Sequence, residues 1–186
     1  MKRNLLCSLL VFGLLSLMSQ PIEAKSAKTI VDYYNALKGR LGINNSYRIV
    51  TKDIANGFMS VTSGNGFANS NIDMALWRSR SGKEIVGVFS YGCGGMGCWG
   101  KFDDFKFFDA NLREVRTEVL DWVRLKQIHD KSVPQGSVKA GIPTVTITIP
   151  KRGTTIKIVG GLMGGDPKPI ANLHYDLNKG TFTIRQ

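Results

Sequence analysis

The sequence predicts an α+β, mainly β protein: an N-terminal amphipathic helix packed on a twisted antiparallel sheet of successive hairpins, the sheet either curled or split into two layers. Three observations carry that expectation. The stretch "SAKTIVDYYNALKGRL", Ser26 to Leu41, places apolar residues at a helical period. The chain after Gly42 breaks into short runs rich in Val, Ile, Thr, Phe and Tyr, with turn residues at intervals of roughly eight to twelve. The spacing is irregular, no blade signature repeats, and no linker is long enough to divide two domains, so one sheet with a helix on it explains the pattern with the fewest assumptions.

Ahead of the helix, Lys2 and Arg3 precede an apolar run from Leu5 to Met18 and a short polar stretch ending at Ala24. That layout predicts a signal peptide over residues 1–24 and one globular domain over 25–186. The run is shorter than the roughly 20 residues a spanning helix needs, and no later segment is apolar enough to span. A basic, periplasmic or secreted protein without a stable membrane span is expected. Cys7 leaves with the leader.

In the helix, Ile30, Tyr34, Leu37 and Leu41 share a face with Ala27 and Val31, Ser26 is the candidate cap, and Gly39 and Gly42 stop it. Strands follow near Tyr47–Lys52 and Phe58–Thr62, then a loop "SGNGFANSN". A hairpin turns at Ser81-Gly82, and "FKFFDANLREVRTEV" reads as another turning near Asp109-Ala110-Asn111. "LDWVRLKQIHDKS" reads as a short helix or irregular crossover. Alternation of Val145, Ile147 and Ile149 against Thr144, Thr146 and Thr148 marks a hairpin that returns through "TTIKIVG", and the last hairpin turns at Asn178-Lys179-Gly180. "VGGLMGGDPKP", Val159 to Pro169, lacks the helix a phosphate cradle opens into and reads as a surface loop that exposes Leu162 and Met163.

"YGCGGMGCWG" holds the two cysteines left after leader removal, Cys93 and Cys98. If the strand ending at Tyr91 turns back into one beginning near Trp99, "GGMG" is the loop and the two cysteines face each other at a spacing a disulfide accepts. An oxidising compartment makes that bridge the default. It would hold Met96 and Trp99 in place, which makes them candidate binding residues. In the same register Phe89 faces Phe102 and Val86 faces Phe105, so the apolar set changes face across Asp103 and Asp104. That predicts a bulge, or a sheet covered on both sides.

The whole chain carries a net charge of +11; without Lys2, Arg3 and Glu23, Lys+Arg falls from 25 to 23 and Asp+Glu from 14 to 13, leaving +10. Such a surface favours an anionic partner. Arg78, Arg80 and Lys83, Lys101, and Lys151 with Arg152 recur near hairpin turns; if those turns share one end they form a cationic rim, with Trp77, Tyr91 and Trp99 as stacking surfaces. The two histidines, His129 and His174, have no ligand or catalytic spacing, so no cofactor and no metal is expected. The expected function is therefore a non-enzymatic exported binding module for an anionic envelope component or another envelope protein, and nucleic acid is not the expected partner outside the cell. Two alternatives stand beside it: a hydrolase in which Asp103 or Asp104 meets Asp32, Glu118 or Asp121, and a Cu(I) or redox protein at Cys93, Met96 and Cys98.

Overall fold

The computed structural model describes residues 28–64, 68–95, 97–132, 143–162 and 166–186. Its elements are α1 (Ile30–Leu37), β1 (Arg48–Asp53), β2 (Phe58–Gly64), β3 (Ala68–Arg78), β4 (Glu84–Gly94), β5 (Gly97–Asp109), α2 (Arg116–Val119), α3 (Trp122–Ser132), β6 (Pro143–Thr148), β7 (Thr155–Leu162), β8 (Lys168–Asp176) and β9 (Thr181–Arg185). All nine strands lie in one antiparallel sheet in chain order, open between β1 and β9. The leader, Met96 and Met163 fall outside the described residues.

Helix α1 is shorter than its sequence period and starts on Thr29, not Ser26. The Thr29 hydroxyl accepts from the Asp32 N–H while the Asp32 carboxylate accepts from the Thr29 N–H at 2.7 Å, a reciprocal cap. Its buried face runs through Ile30, Tyr33 and Leu37. Tyr33 takes the place expected of Tyr34 because its ring turns inward while its hydroxyl donates to Glu84 at 2.5 Å. That face covers Met59, Val61, Ile72, Met74, Val86 and Val88 on one side of β2–β4.

The other side of the same strands is also buried. Phe58, Ala75, Trp77, Ile85 and Phe89 belong to a second, larger core that takes in residues from β5 to β9 and from both later helices. Strands covered on both faces read as continuous apolar runs, which is why "MALW" and "EIVGVF" show little alternation. The sheet curls around the second core: Trp77 of β3 meets Phe182 of β9 at 5.1 Å, and Phe107 of β5 meets Phe182 at 4.9 Å between ring centroids.

The β4–β5 hairpin carries a bulge, which bends its strands locally. Phe89 pairs with Phe105 and Tyr91 with Gly100, so Ser90 alone stands opposite the stretch from Lys101 to Asp104. The bulge at the Asp pair is therefore present, and so is the double covering, but Phe89 faces Phe105, not Phe102, and Val86 faces Phe108, because the bulge absorbs the register shift. Gly100 is required there: a Cβ would sit 2.4 Å from Cζ of the buried Phe89 ring. Phe102 is released from the ladder and stacks on Trp122 at 4.5 Å and on His129 at 4.7 Å, docking α3. Among the described residues β5 and β6 share one ladder pair, Gly100↔Val145, beside which the Thr146 hydroxyl donates to Cys98 O at 3.3 Å, while α2 packs on β5 and β9 and α3 on β7 and β8.

Three further expectations change. After Asp109 the chain makes one bridge, Phe108↔Glu114, and then enters α2 instead of a returning strand, because Val115, Val119 and Leu120 bury at helical spacing. Strand pairing continues to Gly64↔Asn69, so Ala68 to Asn71 belong to β3 and not to a loop. Within the glycine-rich segment, Val159 to Leu162 continue β7 and Lys168 and Pro169 open β8, with residues 163–165 outside the described set. The ambiguous "WVRLKQIHDKS" is helix α3.

Candidate functional site

Cys93 and Cys98 are cross-strand partners joined in a disulfide, with Cα atoms 4.0 Å apart. Pairing runs on to Gly94↔Gly97, so the turn is two residues long, not four. Both sulfurs are consumed in the bridge, so neither is a free thiolate for Cu(I) or for nucleophilic attack. A ring this short restricts the unfolded chain by about 2 kcal/mol. Replacing both cysteines with serine is expected to cost no more than that in denaturant unfolding, with the near-ultraviolet signature of the core retained, since neither cysteine belongs to a core cluster.

The hairpin has two chemically different faces. Tyr91 packs against the second core, stacked on Phe89 at 5.4 Å, and alternation puts Cys93 and Cys98 on that face. Trp99 lies on the other face, over Gly92, where a Cβ would be 3.6 Å from its ring. Tyr91 and Trp99 therefore point to opposite faces of the hairpin, and Trp77, 5% exposed, is a core residue and no stacking surface.

On the Tyr91 face the structure assembles a cluster that the sequence reading missed. The Tyr91 hydroxyl donates to Asp73 at 3.2 Å, Ser60 also hydrogen-bonds this carboxylate, and Lys151 lies within electrostatic reach. Burial pushes the Asp73 carboxyl above its ordinary range against the pull of those three groups, and burial followed by the Asp73 charge pushes the Tyr91 phenol up to about 12. The one available signal was an acid inside the apolar run "NIDMALW". Because the folded pKa of Asp73 is raised, its contribution to stability is full below the unfolded carboxylate value and is lost as pH rises through the folded one. Asp73→Asn is therefore expected to be more stable than the parent at pH 7, with the gap closing towards pH 4, as read from melting temperature against pH.

Most of the basic turns meet at the opposite end of β3 and β4. The Arg80 N–H donates to Leu177 O at 2.7 Å, tying the β3–β4 turn to the β8–β9 turn, and Trp77 Nε1 donates to Gly153 O at 3.3 Å, tying in the β6–β7 turn. Lys83 packs beside Gly180. Arg152 also reaches Asp53, whose carboxyl is held below its ordinary value chiefly by hydrogen bonds from Asn56. Arg80, Lys83 and Lys179 thus share one rim, with Lys151 and Arg152 on the adjoining β6–β7 turn towards Asp73 and Asp53, and among the described residues none of these side chains has an ion-pair partner within salt-bridge distance. Arg78 stands apart from them: its guanidinium is bound to Glu84 at 2.7 Å and to the Lys28 carbonyl.

Lys101 lies far from that rim, at the foot of the disulfide hairpin, where Tyr47, Ser70, Ser90, Trp99, Lys101 and Asp104 line a groove of about 300 Å³. The expected common site of cysteine tip and basic turns is therefore two sites, since the tip pair Ala68↔Gly94 and the pair Arg78↔Glu84 stand at opposite ends of the β3–β4 ladder.

Asp103 does not form the expected acid–base pair. Asp103 has an 83% exposed side chain and pairs with Arg116 at 3.7 Å, Asp32 caps α1, and Asp121 accepts the Arg124 N–H. Glu118 meets Asp109 instead, both gripped by Arg113 at 2.9 and 3.2 Å. Burial alone would raise the Asp109 carboxyl, but the Arg113 and Asn111 backbone N–H groups and the Arg113 side chain hold it below its ordinary range, the reverse of what a general acid needs. Among the described residues no three His, Cys, Asp or Glu side chains group as metal ligands, and no helix is long and apolar enough to cross a membrane.

No protein-family model and no curated protein matches this chain. A solved domain of an uncharacterized protein from Porphyromonas gingivalis W83 is similar at a TM-score of 0.39 and 9% identity, over 83% of this chain and 89% of that one, which is too distant to carry an argument.

Proposed function

We propose that this protein is an exported, non-enzymatic binding module that engages an anionic envelope component through the rim of Arg80, Lys83, Lys151, Arg152 and Lys179. The observation that carries the reading is the tying of three basic turns to one end of the sheet by the Arg80–Leu177 and Trp77–Gly153 hydrogen bonds. Cations held on adjoining short turns lose little backbone entropy on meeting a polyanion, whereas the same charges scattered over the surface would only confer solubility. The disulfide supports the exported part of the reading, because such bonds persist in oxidising compartments.

Vesicle co-sedimentation tests this. Vesicles of anionic phosphatidylglycerol are expected to retain the protein at low salt and to release it as salt rises, while neutral phosphatidylcholine does not retain it. At about 1 kcal/mol per surface cation, Lys151→Gln with Arg152→Gln should weaken retention roughly 30-fold. Equal behaviour on both vesicles at low salt, or retention indifferent to salt, would remove the charge-driven reading.

A further inference from the structure

We propose that the groove beside Trp99 is a second binding site, separate from the cationic rim, and that its ligand is a saccharide. The groove lies on the α1-bearing face: Ile72 and Ser70 share one face of β3, and Ser90 follows Val86 and Val88 on the same face of β4. Asn71, Tyr91 and Gly100 also border it, but strand alternation turns them to the opposite face. At about 300 Å³ it stands at the lower end of ligand clefts, room for a ring-sized unit and not for a large cofactor.

Its lining is chemically mixed. Trp99 and Tyr47 supply aromatic surface, while Ser70 and Ser90 supply hydroxyls and Lys101 and Asp104 one charge of each sign. Among the described residues the side chains of Ser70, Ser90, Lys101 and Asp104 make no hydrogen bond and no ion pair. This contrasts with the opposite face of the same strands, where Ser60, Asp73 and Tyr91 satisfy one another. A ligand that fits must present an apolar face to the rings and both donors and acceptors at its edge. A pyranose ring does so, with C–H groups on its face and hydroxyls around its rim: Asp104 accepts from hydroxyls, Lys101 donates to them, and the serines do either. An acyl chain would leave those four polar groups desolvated and unpaired. A polyanion would meet Asp104 with a single lysine in return, and a nucleic-acid strand needs a basic track that the groove lacks.

The disulfide acquires a role in this arrangement. Trp99 follows Cys98 directly and packs over Gly92, so the bridge holds the indole where the ligand stacks and reduces the ordering cost of binding.

Isothermal titration with oligosaccharides of four to six units tests the proposal, using a β-1,4-glucan, a β-1,4-N-acetylglucosamine polymer and a polygalacturonate, with inorganic polyphosphate as the anion without a sugar ring. Binding of at least one saccharide is expected, weakened tenfold or more by Trp99→Ala, several-fold by Asp104→Asn, and largely restored by Trp99→Phe, which keeps an aromatic face. The pair Lys151→Gln and Arg152→Gln should leave it unchanged, so failure of the groove and failure of the rim are read separately. Binding of no saccharide, a Trp99→Ala variant that binds as the parent does, or binding of polyphosphate alone that is lost with Lys151 and Arg152 would each overturn the assignment.

Discussion

Trp77→Ala is expected to lower the stability of the fold by about 3–5 kcal/mol, measured as a fall in the denaturant midpoint at unchanged slope. Trp77 is 5% exposed and is the residue on which the curl of the sheet closes. Its ring meets Tyr175 of β8 at 6.2 Å and Phe182 of β9 at 5.1 Å, and its Nε1 is bonded to Gly153 of the β6–β7 turn. Across the ladder the neighbouring strand has been thinned to receive it, since a Cβ on Gly87 would lie 2.7 Å from Trp77 Cζ3. No other side chain fills that space, so truncation leaves a cavity at the junction of four strands. A loss of this size is a large share of the roughly 5–15 kcal/mol that holds an ordinary domain together. Trp77→Phe, which keeps a ring but removes the donor, should fall between the two. A loss below about 1 kcal/mol for Trp77→Ala would mean that the two halves of the sheet are held together elsewhere. The same substitution should also weaken vesicle retention, because Trp77 anchors the turn that carries Lys151 and Arg152.

Leu125→Ala should cost about 2–5 kcal/mol and, more tellingly, should accelerate amide exchange across residues 122–132 ahead of the sheet. Helix α3 buries one side chain fully, Leu125, with Trp122 and Ile128 half-buried beside it. At 11 residues it is too short to persist in water without tertiary contacts. What remains after truncation is the stack of Phe102 on Trp122 and His129, together with the Arg116 guanidinium 4.3 Å from the Trp122 ring centroid. None of these contacts lies beyond His129, so fraying is expected to begin near Ser132. Uniform exchange across the helix and the sheet would show instead that α3 opens only with the whole molecule.

Several elements were legible because their signals are local. The alternation from Thr144 to Ile149, the turn at Asn178-Lys179-Gly180 and the facing of Cys93 with Cys98 all follow from period-two patterning and turn chemistry, and the three hairpins are present, although the cysteine hairpin keeps the implied register only as far as Tyr91↔Gly100. The helix was legible as a helix, but the choice between Tyr33 and Tyr34 was not. Both lie within reach of the apolar stripe, and the hydrogen bond to Glu84, 51 residues away, selects Tyr33. The segment after Asp109 was misread for a related reason. Val115 and Val119 fit a strand by composition, while the space they fill, beside β5 and β9, exists only in the folded chain.

The candidate sites divide along the same line. The residues of the cysteine hairpin and of the basic turns could be named from the sequence, because glycine, cysteine and clustered lysine or arginine are conspicuous there. Ser70, Ser90, Tyr47 and Asp73 could not, and Asp104 was named only for a different chemistry, since a serine or an acid in a strand acquires meaning only from the residues that face it.

By itself, then, the sequence determined an antiparallel succession of hairpins behind one helix, a disulfide across the β4–β5 turn, and an excess of positive charge concentrated at turns. Tertiary structure decided which turns meet, that Tyr91 and Trp99 look in opposite directions, and that Asp73 is buried. The physical reason is the curl of the sheet. Strand pairing is set by neighbours in the chain, but the curl brings Trp77 to Phe182, 105 positions further along, and no local pattern records that contact.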